Sequence, residues 1–437
     1  MHIFIPKTVS FMTGPHRKIT AWMALAVWLM CLCGCASDKE QLIRKPLNIV
    51  LVVSDAHSPS VIGAYNPGSS VADTPGIDTL AIEGNLFRNC IATGWEEWRR
   101  IEDSLPGILR EKEYRTAFIG SWDHEGTPDR YDMTEVLEGE GDYYNPMLRR
   151  DGRILCREGY VSDILTEQAA EWLSENGKKE RFFLVLHHHA LSGTWMPSTE
   201  DLGMFNAESL PQMQESDTLL VDVVKRLNII YHLKMADKNG KIHTPRESSL
   251  ERMGRDLYRR DLRPYDPLVP GRMNGDQQKA WDKHYDPIIS AYRKAGLKGE
   301  GLQQWKYRRF AEDYLETANS IDRSIRELHS AMKENGLLDN TVFIYTSTRS
   351  LTAEESSTVP LIIRMPDSNP AENGYVCSRE EVTDKVSDMD LFNTLLELTC
   401  TEDDGKEGKS FVPLLLKKAP ENGDGSASKG LQRLFRK

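Results

Sequence analysis

Cysteine is scarce in this chain and nowhere arranged to grip a metal. Of the seven in 437 residues, Cys31, Cys33 and Cys35 crowd into the amino-terminal segment. Cys90, Cys156, Cys377 and Cys400 stand far apart, with no Cys-x-x-Cys pair anywhere. That excludes a zinc ribbon and a disulfide scaffold, leaving one bridge or unpaired buried thiols for the four. Basic charge is short as well. A formal net charge of -11 denies the chain the positive footprint of a general nucleic-acid binder, so no nucleic acid is expected as a partner. The basic-aromatic run Trp305–Arg309 therefore reads as a solvated helix face. No apolar stretch reaches the ~18 residues of a spanning helix, and no internal repeat is evident.

What is present begins with a processing segment. His16, Arg17 and Lys18 precede the apolar stretch Ala21–Leu32, and Leu32-Cys33-Gly34-Cys35 looks like a bacterial lipobox followed by polar Ser37-Asp38-Lys39-Glu40. Residues 1–35 are expected to be a lipoprotein signal peptide, with Cys35 acylated, and residues 36–46 a polar tether. The protein is then expected as an exported lipoprotein, held at a membrane through its lipid in the periplasm or at the outer-membrane surface.

Beyond the tether, apolar and β-branched runs alternate with helical patterns, which calls for βαβ units and a doubly wound sheet. The runs are Asn48–Val53, Arg115–Ile119, Phe182–Leu186, Val342–Tyr345 and Leu361–Arg364. The first is continuous and fits a strand buried on both faces. It ends in Ser54-Asp55, where open α/β sheets bind their ligands. On the residues alone, Asp55 either caps the next turn or opens a metal or phosphate-type site. His187, His188 and His189 close the run from Phe182; because side chains alternate along a strand, all three cannot face one metal. The reading adopted is that one lines the site and two are satisfied by backbone partners.

The continuation Asp73-Thr74-Pro75-Gly76-Ile77-Asp78-Thr79-Leu80-Ala81-Ile82-Glu83-Gly84, with Phe87-Arg88-Asn89-Cys90, closely resembles the opening of the sulfatase family of the alkaline-phosphatase superfamily. Tyr114–Gly120 and Gly408–Leu415 resemble further family segments, and Met273–Trp281 with Tyr285-Asp286-Pro287 is similar to the insertion of glycan-directed sulfatases from gut-type bacteria. The resemblance covers about Asn48 to Leu415. It implies an α/β, alkaline-phosphatase-like, mostly parallel sheet flanked by helices over residues 47–416, interrupted by an insertion at about 197–304. Residues 417–437 read as a polar tail where the family carries a small carboxyl-terminal subdomain.

The same resemblance implies chemistry that the residues do not supply. A sulfatase uses Cys/Ser-x-Pro/Ala-x-Arg, oxidised to formylglycine, as nucleophile, with calcium and nearby Lys and His neutralising the sulfate. No such motif lies between Cys90 and Leu105. The first metal loop normally has two adjacent acids, whereas Asp55 is followed by Ala56. The second reads Thr346-Ser347-Thr348-Arg349-Ser350, placing a cation where calcium would want oxygens. The Gly-Lys-Trp-His-like segment is Gly120-Ser121-Trp122-Asp123, the Lys-Ala-Pro-His-like one is His189-Ala190-Leu191-Ser192, and the loop from Ser350 to Thr358 is short.

The expectation is a sulfatase-family protein without a catalytic nucleophile, retaining at most binding of a sulfated glycan. Asp55 is a vestigial metal residue, calcium is not expected to be held, and His57, Asp123, His124, His188 and His189 are the candidates to line the cleft. An active sulfuric ester hydrolase using replacement residues, and a structural partner in a glycan-uptake complex, remain as alternatives.

Overall fold

The structure is a computed structural model. It describes residues 42–43, 45–68, 72–94, 98–138, 142–191, 195–206, 235–236, 242–243, 273–297, 299–349, 358–368, 375–401 and 408–419. The expected signal peptide with Cys35, most of the tether, much of the insertion, the Ser350–Thr358 loop and most of the tail lie outside the described residues. Leu42–Lys437 clusters as one unit.

Among the described residues, ten strands form its central sheet. In chain order they are β1 (Asn48–Ser54), β2 (Asn85–Ile91), β3 (Arg115–Gly120), β4 (Met133–Leu137), β5 (Met147–Arg150), β6 (Arg153–Cys156), β7 (Phe182–His188), β8 (Thr341–Ser347), β9 (Thr358–Arg364) and β10 (Glu381–Ser387). Across the sheet they run β10-β2-β9-β8-β1-β7-β3-β4-β5-β6. The middle is parallel: β1 pairs with β8 and β7, β7 with β3, and β3 with β4. Antiparallel β9 joins β8 to β2, and the β4-β5-β6 meander finishes the far side. All five runs read as strands lie in this one sheet, and Asn48–Val53 sits in its centre.

Burial on both faces explains the composition of β1. Val50 and Val52 face one hydrophobic core, with α1 (Pro75–Glu83), α3 (Val161–Asn176) and the inner stripe Ile321, Ile325, Leu328 and Met332 of α5 (Gly299–Glu334). Ile49, Leu51 and Val53 face the second, with α2 (Leu105–Glu111) and α6 (Asp388–Leu398). At ~25 cal/mol for each Å² of apolar surface removed from water, these two cores hold the fold together. The long helix α5 is itself fixed to α1: Asp322 accepts from the backbone N–H groups of Gly76 and Ile77, at 3.1 and 2.8 Å, in the first turn of α1.

The described helix of the insertion packs against this body. The helix α4 (Gly275–Ala295) begins with a capping box, Asn274 against Gln277. Its Trp281 donates from the indole N–H to the Tyr144 hydroxyl at 2.9 Å, and Tyr285 donates to Asp313 at 2.8 Å. The long helix α5 starts at Gly299 and α3 at Val161.

Two backbone features position the site. Gly120 ends β3 with φ +132, and a Cβ there would lie 1.8 Å from the His187 carbonyl oxygen. Only glycine lets β3 and β7 close at that point. Ala56, directly after Asp55, has φ 51, an uncommon conformation for a side-chain-bearing residue. It is held because the Tyr314 hydroxyl of α5 donates to the Ala56 carbonyl at 3.0 Å.

Candidate functional site

The carboxyl ends of β1, β7 and β8, with the turns that follow β3 and precede α2, converge on Asp55. Asp55, His187 and Glu102 are all 0% exposed. Glu102 comes from a π-helical turn, Arg100–Ser104, that runs straight into α2. His124 Nε2 is hydrogen-bonded to Oε2 at 2.8 Å, and His187 Nδ1 lies 2.8 Å from Oε1 without hydrogen-bond geometry. The other ring nitrogen of His187, Nε2, faces Asp55 Oδ1 at 3.5 Å. Thr348, just past β8, donates its hydroxyl to that same oxygen at 2.6 Å.

Electrostatics follow from this packing. Burial pushes the Asp55 carboxyl up, but His187, Arg349 and the Thr348 hydroxyl outweigh it and hold the group at about 2. Glu102 behaves alike: burial opposes ionisation, and His187 and His124 bring it below the ordinary carboxylate value. For His187, burial disfavours the cation, yet Glu102 and Asp55 together raise it well above an ordinary histidine. The directions agree: the cluster favours the charged forms of Asp55 and Glu102 and the protonated form of His187.

The candidates named from sequence do not all meet here. Asp55 is at the centre, and Asp123 joins it: Asp55, Asp123 and His187 each offer a ligand atom, all within 4.8 Å of one another. His124 binds Glu102. His189 lies beside Tyr143, ring centroids 5.5 Å apart, with burial lowering its pKa. His57 turns into the sheet: its Nδ1 meets the Tyr345 hydroxyl, Tyr345 shares a hydrogen bond with Ser54 at 3.0 Å, and burial lowers His57 to about 3. His188 takes the face opposite His187 and meets the Ser324 hydroxyl of α5 at 2.8 Å. The reading that two of the three histidines take backbone partners is corrected by the structure. Backbone groups there are spent on the sheet ladder, so His187 and His188 turn to side chains instead.

Two residues of the cluster escaped the sequence reading. His187 was in the triplet but not among the candidates; strict alternation along β7 separates it from His188, and only the fold says which face holds Asp55. Glu102 carries no signal, being one of several acids in Trp95–Ser104.

As a metal site the cluster is a poor match for calcium, which takes six to eight oxygens. One Asp55 oxygen is committed to Thr348, and its other oxygen, Oδ2, is buried with no hydrogen-bond partner. His187 contributes nitrogen, and the Arg349 charge favours the ionised Asp55.

Comparison with known proteins gives a consistent answer. The sulfatase family profile matches residues 91–401. An N-acetylglucosamine-6-O-sulfatase of Bacteroides thetaiotaomicron is 30% identical over 390 residues, 79% of this chain and 67% of that protein. The N-acetylglucosamine-6-sulfatase of Bos taurus is 21% identical, and there the chain spans 58% of the relative's length. A protein solved in complex with its substrate D-glucosamine-2-N,6-O-disulfate superposes with a TM-score of 0.67 at 27% identity, over 87% of this chain and 82% of that one. A phosphonate monoester hydrolase from Silicibacter pomeroyi shares the fold at 14% identity and a TM-score of 0.51.

Proposed function

The chain belongs to the sulfatase family, and from that premise we propose that it is a member that recognises a sulfated amino-sugar glycan without hydrolysing it. The observation that carries the reading is Glu102. Within the connection from β2 to α2, where the resemblance calls for a formylglycine nucleophile, Arg100–Ser104 is a π-helical turn whose buried carboxylate binds His124 and lies against His187. Covalent catalysis needs a nucleophile that the substrate can reach and that a base, a lowered pKa or a metal activates. Glu102 is inaccessible and already neutralised. The glycan part of the reading rests on the relatives, whose names specify N-acetylglucosamine 6-sulfate chemistry and a glucosamine disulfate substrate. No calcium is expected in the cluster.

One observation favours a second reading. Asp55, Asp123 and His187 lie close enough together to share an ion, which would suit a metal-dependent ester hydrolase with replacement ligands. A single experiment separates the two. The purified protein is assayed against N-acetylglucosamine 6-sulfate and a panel of sulfated sugars, with and without added calcium, and binding of the same sugars is followed by calorimetry. Binding without turnover supports the proposal. Turnover above the blank that disappears in Asp55→Ala establishes the second reading, and absence of any binding removes the glycan role.

A further inference from the structure

We propose that the cleft between the β3–β4 connection and the β5–β6 turn is a subsite for a sugar unit that carries no sulfate, so that the ligand is an oligosaccharide rather than a single sulfated sugar. The inference rests on the glycan reading above and adds the length of the ligand and the charge of its second unit. The cleft has a volume of about 860 Å³, within the ~300–1,000 Å³ usual for small-molecule sites. Its floor comes from the sheet. Val136 of β4 stands opposite Arg149 of β5, and side chains alternate along a strand, so Thr134, Val136 and Arg149 share one face. The other face carries Leu137 and Leu148 into the core. Thr134 and Val136 stay half-buried although β4 is an internal strand. The inner end of the cleft abuts the cluster through two of its lining rings, Trp122 and Tyr131. Trp122 packs edge-on to His124 at 4.8 Å between centroids, and the Tyr131 hydroxyl donates to the Glu102 carbonyl at 2.7 Å. Asp123, exposed at the cluster, follows Trp122 directly, so a sugar chain held there reaches the cleft with its next unit.

The lining selects the chemistry of that unit. Four carboxylates face the cleft, those of Asp129, Asp132, Glu138 and Asp151. The nearby arginines are already spent: Arg149 forks onto Glu138, Arg110 meets Asp132 at 2.9 Å, and Arg130 turns to Asp103 at 3.8 Å. A sulfate would therefore meet like charge, which costs affinity. Sugar hydroxyls are donors, and carboxylates are their natural acceptors. Two of these acceptors are fixed before any ligand arrives, Glu138 by the Arg149 fork and Asp132 by the Thr116 backbone N–H at 2.8 Å, so little side-chain freedom is lost on binding. Trp122 and Val136 add apolar surface for the C–H face of a sugar ring. The acids do not form a metal site instead: among the described residues, no three of them lie close enough together to hold an ion.

The decisive ligand is the N-acetylglucosamine tetramer without sulfate, so this inference and the functional reading fail separately. The full-length protein is titrated by calorimetry with that tetramer, with the same tetramer sulfated on every unit, and with N-acetylglucosamine 6-sulfate. The unsulfated tetramer is expected to bind, and Thr134→Trp, which fills the floor of the cleft, should weaken it by about tenfold or more. N-acetylglucosamine 6-sulfate should bind both proteins to within about twofold. No binding of the unsulfated tetramer, an unchanged affinity for it in Thr134→Trp, or an equal loss for the fully sulfated tetramer would each overturn the proposal. Should Thr134→Trp not fold, as judged by circular dichroism, Asp129→Arg obstructs the same space from the loop and decides by the same criteria. A tetramer that binds while N-acetylglucosamine 6-sulfate does not would remove the sulfated-sugar reading and leave the cleft a site for neutral sugar.

Discussion

Replacing Asp55 by asparagine keeps the shape of the side chain and removes only its charge, so the cost can be divided into two parts. The folded protein holds the carboxyl at about 2, against an ordinary value of 3.8. At ~1.4 kcal/mol for each pH unit, the charge contributes about 2 kcal/mol at neutral pH. Because the folded value is depressed, this stability is fully present above ordinary carboxylate pH and is lost as pH falls from about 4 through 2. The second part is the new amide. Its oxygen can still accept from Thr348, but its NH₂ then sits where Oδ2 is buried without a partner, an orphaned donor worth ~1–3 kcal/mol. The Asp55→Asn protein is therefore expected to be about 3–5 kcal/mol less stable at pH 7, and the gap should shrink by roughly half the charge contribution near pH 3. Urea unfolding of both proteins at pH 7, 5 and 3 measures it. A gap that does not change with pH would refute the assignment of Asp55 as an ionised, cation-paired group.

The sheet was legible where physics makes strands distinctive. Asn48–Val53, Phe182–Leu186 and Val342–Tyr345 lie side by side in the middle, buried on both faces, and so are written as unbroken apolar runs. The β4-β5-β6 meander was not readable. Met147–Arg150 and Arg153–Cys156 are short, charged and at the sheet edge, where neither alternation nor continuous burial is imposed. Local chemistry also under-determined the site. Asp55 stood out because it follows a buried strand, and Thr348 and Arg349 because the family resemblance places a second metal loop there; the Thr348 hydroxyl does meet Asp55. Glu102 could not stand out, since it enters the site through a π-helical turn that leaves no period in the sequence. The histidine triplet gave the right strand end but not the face, which depends on whether Asp55 lies on the side of α2 or of α5.

Two further outcomes test the remaining claims. If Cys35 is the lipidated amino terminus, as Leu32-Cys33-Gly34-Cys35 suggests, Cys35→Ser should move the protein from the membrane to the soluble fraction; unchanged fractionation would sink the anchor. The other concerns Glu316 on α5, buried beside the part of the insertion that precedes α4. Its Oε1 accepts from the backbone N–H groups of Gly203 at 2.7 Å and Phe205 at 3.3 Å, while its Oε2 is buried with no partner. Burial, then the neighbouring Asp313 and Glu312, push it from 4.5 to about 9. A raised carboxyl favours folding only while protonated, so its effect is harmless below about pH 4.5 and grows more destabilising as pH rises towards 9. Glu316→Gln fixes the neutral form and keeps the oxygen that Gly203 and Phe205 need. It should stabilise the protein by about 1–3 kcal/mol at pH 8 and by almost nothing at pH 4, read from urea midpoints at the two pH values. An equal change at both would mean that the folded protein does not hold Glu316 above its ordinary value.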